Sequence, residues 1–483
     1  MIDVKRESLY RILSDIAGLS LFSALKDHPL LRALEDLARA LLRFQAPPEG
    51  PGGSALPIRG TPAQDALDIL RHWTALTEAL LLHCPAGGLA GALARLALTD
   101  ENTFTRAAEA AAVTPLLRAA ARGDLARLGR LAALDLPELG FRIAALLAEA
   151  GGSPEAGPGG FTEAASLCEA FSRALWQEEG AEAPAAVFPR GPDWAEALPP
   201  LEAYIRRQGA GILGQYHCFY GDGEGRLIPV RRPDPVALSS LGGYEDQRAL
   251  VVANTLRFLR GKAANNLLLY GDRGTGKSAT VKAVCNEYAP QGLKVVELHK
   301  SSLPRLPRIL ETLGDRALKF VVFIDDLSFE STGDSYTTLK ALLEGGVEAK
   351  PPNVVVYATS NRRHLVKERF ADRPTTAQAA AAADTGDVRA FDTMQEQFSL
   401  ADRFGLTVVF AAPSQEEYLE IACFIAEKRG LLTAAGEAAR AAYRENALRW
   451  ERWFNGRSPR TAVQYADWVE GGEGFPWEGP GPR

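Results

Sequence analysis

The feature that most constrains this chain is a short apolar run followed directly by a glycine-rich loop. Residues 266–270 (NLLLY) are typical of a buried strand, and residues 271–278 (GDRGTGKS) fit the pattern G-x-x-x-x-G-K-[ST]. Residues 280–288 then predict a helix that opens off the loop. Glycines let a backbone wrap closely around a phosphate, and successive N–H groups at a helix N-terminus point at the anion. Strand, loop and helix together predict a nucleotide-binding loop, with a chance glycine-rich turn as the competing interpretation.

The loop residues have different expected roles. Lys277 can neutralise the β- and γ-phosphates of a nucleotide, and the Ser278 hydroxyl can bind Mg²⁺. The other residues of the loop are expected to surround the phosphates: Gly271, Asp272, Arg273, Gly274, Thr275, Gly276 and Ala279. The sequence therefore predicts a nucleotide site that uses magnesium.

Length and composition restrict the class of protein. A chain of 483 residues predicts two to four domains, and 46% apolar with 24% charged residues is ordinary for a soluble globular protein. A net charge of −6 argues against a strongly basic nucleic-acid-binding surface, although it leaves room for a local patch. We find no signal peptide and no apolar run of membrane-spanning length, and the five cysteines lack C-x-x-C spacing. These features predict a cytoplasmic protein with reduced thiols and no membrane segment.

The first part of the chain, residues 1–210, predicts an α-helical N-terminal region. Leu9, Ile12, Leu13 and Ile16 recur at helical spacing, and further helical patterns cover roughly 62–84, 102–122, 136–150 and 162–178. A segment rich in Pro and Gly at 47–60 divides this region into two candidate bundles. Its apolar stripes are typical of core, and no residue in it carries recognisable chemistry.

The remainder of the chain changes character. Residues 211–411 open with a small hairpin and then alternate apolar strands with helices, which predicts a parallel sheet covered on both faces. Residues 412–470 predict a small helical domain, and the tail 471–483, rich in Gly and Pro, is expected to be disordered. A low-complexity insertion centred on 379–383 is expected to be a mobile surface segment.

Two carboxylates end one of the apolar strands. Residues 320–324 lead into Asp325 and Asp326. Hydrolysis of a nucleotide needs an acid that positions the metal and a group that orients or deprotonates the attacking water, so Asp325 suits the first role and Asp326 the second. Glu330 is a competing candidate for the base. The other interpretation is a pair of acids that merely ends a surface strand.

The next strand ends in Thr359, Ser360 and Asn361. Side chains at the carboxyl ends of neighbouring parallel strands face the same crevice, so Asn361 is a candidate for holding the attacking water. An N-cap of a following helix is the competing interpretation of this residue. A basic cluster follows and is typical of a solvated or subunit-contact face: Arg362, Arg363, His364, Lys367 and Arg369.

The ordered series of motifs resembles the AAA+ ATPases. The stretches 241–245 (LGGYE), 271–278, 323–330 (FIDDLSFE), 357–363 (YATSNRR) and 399–406 (SLADRFGL) are similar, more closely, to the bacterial AAA-type ATP-binding family called domain of unknown function 815. The resemblance covers about 200–470. It implies an α/β P-loop NTPase fold, with an AAA+ parallel sheet and a C-terminal helical lid, preceded by the α-helical N-terminal domain.

The resemblance also implies residue roles and partners. Arg403 matches the arginine finger that reaches the γ-phosphate in a neighbouring subunit, and Arg460 matches the sensor-2 arginine of the lid. Residues 238–244 match the segment that lines the adenine. ATP and Mg²⁺ are the implied cofactors, a homo-oligomer is the implied assembly, and surface ion pairs are the competing interpretation of both arginines. Asp326 departs from the Asp-Glu pair found in many AAA+ proteins, which leaves open whether Asp326 or Glu330 is the base.

Three functional hypotheses follow. The first is an ATPase that hydrolyses Mg-ATP between subunits and remodels or regulates an unidentified protein recruited by the N-terminal region. The second is an ATP-gated switch or scaffold with negligible turnover. The third is a DNA-associated ATPase of the initiator or helicase-loader kind, which the net negative charge disfavours.

Overall fold

The computed structural model describes residues 5–45, 62–83, 88–151, 187–222, 224–327, 350–361, 404–432, 436–454, 456–472, 474–475 and 477. The chain divides into two compact units, Met1–Gln215 and Tyr216–Arg483. Several sequence predictions lie outside the described residues, namely the helix at 162–178, the insertion around 379–383, the basic cluster from Arg362 to Arg369, Glu330 and Arg403.

The first unit is helical throughout its described residues. Its α-helices are α1 Arg6–Ala17, α2 Pro29–Phe44, α3 Pro62–His83, α4 Gly88–Thr99, α5 Thr103–Glu109, α6 Pro115–Ala132, α7 Leu136–Gly151, α8 Leu198–Gln208 and α9 Ile212–Gln215. Short 3₁₀ segments lie at Ser23–Asp27 and Trp194–Ala197. Leucine and alanine side chains from most of these helices form one buried core, together with Phe22, Trp73, Phe104 and Trp194.

The helices of this unit differ from the sequence prediction in two places. The pattern at 102–122 is two helices, because Ala111 takes a left-handed backbone (φ 56°) and Pro115 begins α6. The Thr114 hydroxyl accepts a hydrogen bond from the Leu117 N–H and caps the new helix. Helix α4 was not predicted, because the glycines near its start obscure its helical pattern.

Buried ionic groups connect the helices of the first unit. The Asp124 carboxylate, which is fully buried, accepts hydrogen bonds from the backbone N–H groups of Ser20, Leu21 and Phe22 at 2.8, 2.7 and 3.2 Å. Asp15 pairs with Arg130 through both carboxylate oxygens, at 2.9 and 2.5 Å. These contacts link α1 and the segment that follows it to α6, so they serve the packing of the unit.

The second unit is built on a seven-stranded sheet. Its strands are β1 Cys218–Gly221, β2 Leu227–Pro229, β3 Leu267–Gly271, β4 Leu293–Leu298, β5 Lys319–Ile324, β6 Val354–Ser360 and β7 Leu406–Phe410. The strand order is β2-β1-β4-β5-β6-β3-β7. Only the β1–β2 hairpin is antiparallel among these pairings. The predicted mostly parallel α/β sheet is confirmed.

Helices cover the sheet because its central strands are mainly apolar and buried. All residues of β3 and β6 are buried. Among its described residues, the sheet region contains the α-helices α10 Glu245–Leu259, α11 Lys277–Tyr288 and α12 Leu306–Gly314. Val251 and Phe258 of α10, with Val281 and Val284 of α11, pack on one face of the strands. Additional 3₁₀ segments lie at Leu238–Ser240, Ala289–Gln291 and Lys300–Arg305.

Register brings three strand ends together at one edge of the sheet. Ile324 of β5 lies opposite Ala358 of β6, and Tyr270 of β3 lies opposite Ser360 of β6. Because these strands are parallel, the residues that follow them emerge on the same side. Asp325, Asn361 and the loop after Gly271 therefore meet.

Three α-helices follow the sheet: α13 Gln415–Lys428, α14 Glu437–Trp453 and α15 Pro459–Gly471. They share a core around Tyr418, Tyr443, Trp450 and Tyr465. The expectation of a disordered tail does not hold for Phe475 and Trp477. Their rings stack at 4.7 Å between centroids and pack against the core of these helices, since aromatic side chains gain by leaving water.

The sequence also predicted that the cysteines are reduced and that the chain has no membrane segment. Cys218, Cys285 and Cys423 are free thiols, and Cys84 and Cys168 lie outside the described residues. Within the described ranges, no helix combines the length and the apolar character needed to cross a bilayer.

Candidate nucleotide-binding site

The loop after β3 takes a conformation that its glycines make accessible. Gly271 has φ 143°, and a Cβ there would lie 2.0 Å from the carbonyl oxygen of Phe410 in β7. Gly276 has φ 87° and directly precedes α11, which begins at Lys277. Side chains at either position would be strained or would collide with the backbone. The loop therefore lies tightly against β7 and presents the N-terminus of α11 to the crevice.

The Lys277 side chain is folded back over the loop. Its Nζ donates hydrogen bonds to the carbonyl oxygens of Asp272 at 2.6 Å and Gly271 at 3.1 Å, and lies 3.5 Å from the Thr275 hydroxyl. The residue is 4% exposed. Burial lowers the pKa of Lys277 to about 8, although the carboxylates of Asp272, Asp325 and Asp326 counteract this shift. Among the described residues, the oxygens that accept hydrogen bonds from this buried ammonium are neutral, which suits it to receive a phosphate.

Ser278 and Asp325 meet at the start of α11. The Ser278 hydroxyl donates a hydrogen bond to Asp325 Oδ1 at 2.6 Å. The Thr359 hydroxyl donates to the same oxygen at 2.5 Å. A hydroxyl oxygen and a carboxylate oxygen are the donors that Mg²⁺ prefers, so this pair fits a magnesium ion.

Asp326 and Asn361 form the next pair along the crevice. Asn361 Nδ2 donates to Asp326 Oδ1 at 2.7 Å. The backbone of Asp326 is left-handed (φ 50°), and its N–H donates to Thr359 Oγ1 at 2.9 Å. Non-glycine residues adopt this conformation rarely, and Asp tolerates it better than most. The turn directs the Asp326 carboxylate toward the end of β6.

Arg460 approaches the loop from the C-terminal helices. Its backbone N–H donates to the Gly274 carbonyl at 3.1 Å. A Cβ added at Gly274 would lie 3.2 Å from the Arg460 Cβ, and the Arg460 charge contributes to lowering the pKa of Lys277. The predicted lid arginine thus lies beside the phosphate loop.

A cavity of about 620 Å³ joins these residues. It is lined by Leu241, Arg273, Gly274, Gly276, Lys277, Ser278, Ala279, Asp325, Asp326, Asn361, Pro459, Arg460 and Val463. The volume is in the range of small-molecule sites. The lining suits a nucleoside phosphate with its metal. It combines cations and backbone N–H groups with carboxylates, and it has apolar side chains at Leu241 and Val463.

Some predicted site residues do not reach this cavity. Three residues of the phosphate loop do not line it: Gly271, Asp272 and Thr275. The role of Arg403 stays a prediction because Arg403 lies outside the described residues. Within residues 238–244, the segment expected to line the adenine, Leu241 reaches the cavity. Gly243 and Tyr244 line a different cavity, because the Tyr244 hydroxyl donates to the Ala411 carbonyl at 2.6 Å.

Two sets of contacts in the site were not predicted from sequence. Thr359 bonds to Asp325 and to the Asp326 N–H, and its place at the end of β6 beside Asn361 was the available signal. The Asp272 carboxylate accepts a hydrogen bond from the Ala412 N–H at 2.9 Å. No local pattern announces that contact, because 140 positions separate the two residues.

Comparison with known protein families identifies the same family as the sequence motifs. The model of the family described as “Protein of unknown function (DUF815)” matches residues 215–473. No curated protein sequence matches the chain.

Some solved structures are similar to part of the chain. They include Thermotoga maritima RuvB, described as a Holliday junction branch migration motor, at 18% identity and TM-score 0.31. An alanine-to-serine mutant of RuvB has TM-score 0.32 at 18% identity, and a lysine-to-arginine mutant has TM-score 0.31 at 16% identity. Each match covers 49% of this chain and 65% of the other, so the chain spans about two thirds of the length of these structures. Strand order and loop geometry carry the fold assignment.

Proposed function

The chain belongs to the family described as “Protein of unknown function (DUF815)”, and from that premise we propose that it is an ATPase that binds and hydrolyses Mg-ATP. One observation carries the proposal. The Ser278 hydroxyl of the phosphate loop lies 2.6 Å from Asp325 Oδ1, inside a cavity that also contains Lys277, Asp326 and Asn361. That combination supplies a phosphate cradle, two metal ligands and a candidate base at one place.

Each residue has a stated part in the reaction. Lys277 and the loop N–H groups bind the β- and γ-phosphates, and Ser278 and Asp325 would hold Mg²⁺, which neutralises charge on the phosphates when bound. Asp326 accepts the proton of the attacking water, and Asn361 orients that water. Arg460 stabilises charge that develops on the γ-phosphate.

The proposed assembly is a homo-oligomer in which Arg403 of one subunit reaches the nucleotide of its neighbour. The support is the sequence resemblance alone, since Arg403 lies outside the described residues. Energy from hydrolysis would be used to remodel or regulate a protein partner. We assign recruitment of that partner to the helical first unit.

The test is ATP turnover measured together with molecular mass, with and without Mg-ATP. Lys277→Ala should abolish binding or turnover, because phosphate-binding cations contribute strongly to both. Arg403→Ala should abolish turnover and leave binding intact. Full turnover by Lys277→Ala would overturn the proposal, and full activity in a strict monomer would overturn the role of Arg403.

One observation favours a second candidate, an ATP-gated switch with negligible turnover. The amide of Asn361 donates to Asp326 Oδ1 at 2.7 Å, so this oxygen must give up that hydrogen bond before it can contact an attacking water. If the purified oligomer binds ATP, changes its assembly and releases no phosphate, the switch is the correct function. If Asn361→Ala then gains turnover, the hydrogen bond to Asp326 is its cause.

A further inference from the structure

The second residue of the phosphate loop makes a contact that nucleotide binding does not require. The Asp272 carboxylate accepts a hydrogen bond from the backbone N–H of Ala412 at 2.9 Å. The Asp272 N–H in turn donates to the carbonyl of Phe410 at 3.1 Å. One residue thus attaches the loop to the chain at two points, on either side of Ala411.

The segment held by Asp272 connects the sheet to the C-terminal helices. Strand β7 ends at Phe410 and α13 begins at Gln415, so only residues 411–414 lie between them. Helix α13 starts rigidly: the Ser414 hydroxyl accepts from the Glu417 N–H, and the Glu417 carboxylate accepts from the Ser414 N–H. A displacement of residues 411–413 must therefore move α13.

A second residue holds the same connection. The Tyr244 hydroxyl donates to the Ala411 carbonyl at 2.6 Å, and its ring packs against Phe410 at 5.2 Å between centroids. Burial raises the pKa of Tyr244 above its ordinary value, so its hydroxyl keeps its proton and remains a donor. Tyr244 thus binds the carbonyl and Asp272 binds the N–H of the peptide group that joins Ala411 to Ala412.

The loop side of this contact is held by the lysine expected to bind phosphate. Lys277 Nζ donates to the carbonyl of Asp272 itself at 2.6 Å, and the Thr275 hydroxyl donates to the same carbonyl at 2.8 Å. A phosphate that recruits the Lys277 ammonium would remove the cationic partner and leave the Thr275 hydroxyl, so the peptide group of residue 272 would be held less tightly. The Gly271 backbone is packed against Phe410, so a shift of this peptide group would be transmitted to the connection.

We propose that Asp272 is a positioning residue that couples occupancy of the phosphate loop to the position of the C-terminal helices. The inference rests on the proposed function, because it takes a nucleotide phosphate as the occupant. Charge-assisted hydrogen bonds from a carboxylate to a backbone N–H are among the stronger polar contacts, which suits this task. Arg460, which reaches Gly274 from α15, contacts the same loop from the other end of the helical domain.

The test is hydrogen–deuterium exchange of a peptide covering residues 407–418, with and without saturating Mg-AMP-PNP. In the wild type we expect the nucleotide to change exchange at residues 411–414 by about tenfold, the size expected when one charge-assisted hydrogen bond is altered. Asp272→Ala should abolish that change, and it should raise exchange of the Ala412 amide in the absence of nucleotide.

Asp272→Asn is the matched variant, because its amide oxygen can still accept from Ala412. It should keep the response to nucleotide, and Tyr244→Phe should weaken it. An undiminished response in Asp272→Ala would overturn the coupling, as would equal loss in Asp272→Asn and Asp272→Ala. Binding of a fluorescent ATP analogue is measured in the same samples. If the wild type binds no nucleotide, the proposed function fails, whereas binding without coupling refutes only the role of Asp272.

Discussion

Buried charges occur in both units of the molecule, but their partners differ in kind. In the helical unit, the Asp124 carboxylate accepts hydrogen bonds from the N–H groups of Leu21 and Phe22 and pairs with Arg127 at 3.3 Å. In the sheet unit, the Lys277 ammonium donates to two loop carbonyls and lines an open cavity.

The difference separates a structural charge from a candidate functional one. The partners of Asp124 are N–H groups of the segment after α1 and Arg127 of its own helix, and they carry the dipole or positive charge that a carboxylate needs. The partners of Lys277 are neutral oxygens, which a phosphate can replace with a gain in electrostatic energy. Burial of a charge is therefore weak evidence of function by itself, and becomes informative where the group also faces a cavity.

The largest expected effect concerns Asp326, the acid beside the proposed metal site. Asp326→Asn should lower ATP turnover by about 10²–10⁴-fold, the usual contribution of a general base, while Mg-ATP still binds. Asp315→Asn changes an exposed aspartate after α12 and is the control, with turnover unchanged. Steady-state phosphate release and nucleotide titration measure the two quantities. If Asp326→Asn keeps wild-type turnover and Glu330→Gln loses it, the base is Glu330.

Asp124 should behave in the opposite manner. Asp124→Ala leaves the N–H groups of Leu21 and Phe22 without their acceptor, so the free energy of unfolding of the first unit should fall by about 3 kcal/mol. Asp193→Ala removes an exposed carboxylate that makes no capping hydrogen bond, and its effect should stay within about 0.5 kcal/mol. Urea unfolding followed by hydrogen exchange of residues 18–25 separates the two. Equal stability of both variants would break the comparison.

Thr359 tests whether the neighbours of a metal ligand matter here. Thr359→Val removes the hydroxyl that donates to Asp325 and accepts from the Asp326 N–H. The variant should lower the affinity for Mg²⁺ in the presence of nucleotide by about 10–100-fold. Thr255→Val is the control, since the Thr255 hydroxyl is buried against the Tyr357 hydroxyl at 2.8 Å. Both variants lose a buried hydroxyl, and only the first should change the magnesium titration. The same shift in both would reduce Thr359 to a packing residue.

Sequence patterns predicted the sheet well because strands of this kind are continuous apolar runs. The strands carrying Asp325 and Asn361 were recognised for that reason, and parallel pairing then implies that their ends meet. The helices of the first unit were predicted less accurately. The break between α5 and α6 depends on the left-handed Ala111, which no residue preference signals, and on Thr114 and Pro115, whose helix-start signal was not recognised.

Contacts between distant segments are what the sequence could not supply. The bond from Ala412 to Asp272 exists because β3 lies between β6 and β7, an order that does not follow from the order of strands in the chain. The bond from Arg460 to Gly274 likewise depends on how α15 returns to the loop. Local propensity contains no information on either arrangement.

The smallest expected effect is a pH dependence that only the sheet unit should show. Because burial lowers the pKa of Lys277 to about 8, the free protein begins to lose this positive charge above that pH. A bound phosphate favours the charged form and raises the pKa, so nucleotide affinity should be flat below pH 7 and fall by up to about tenfold per pH unit above pH 8. The stability contribution has the opposite sign: the unfolded chain binds this proton more tightly, so stability rises with pH between the folded pKa and the ordinary value of 10.5.

Lys277→Arg distinguishes this origin from titration of the nucleotide or of other groups. A guanidinium stays charged throughout this range, so the variant should have a flat affinity profile even if its affinity is lower. Isothermal titration of Mg-AMP-PNP between pH 7 and pH 9.5 gives both curves. A flat wild-type curve, or an equal fall in Lys277→Arg, would mean that the buried ammonium does not titrate where its environment predicts. The buried ammonium of Lys277 would then differ from the buried carboxylate of Asp124 in its hydrogen-bond partners and in the cavity that it lines.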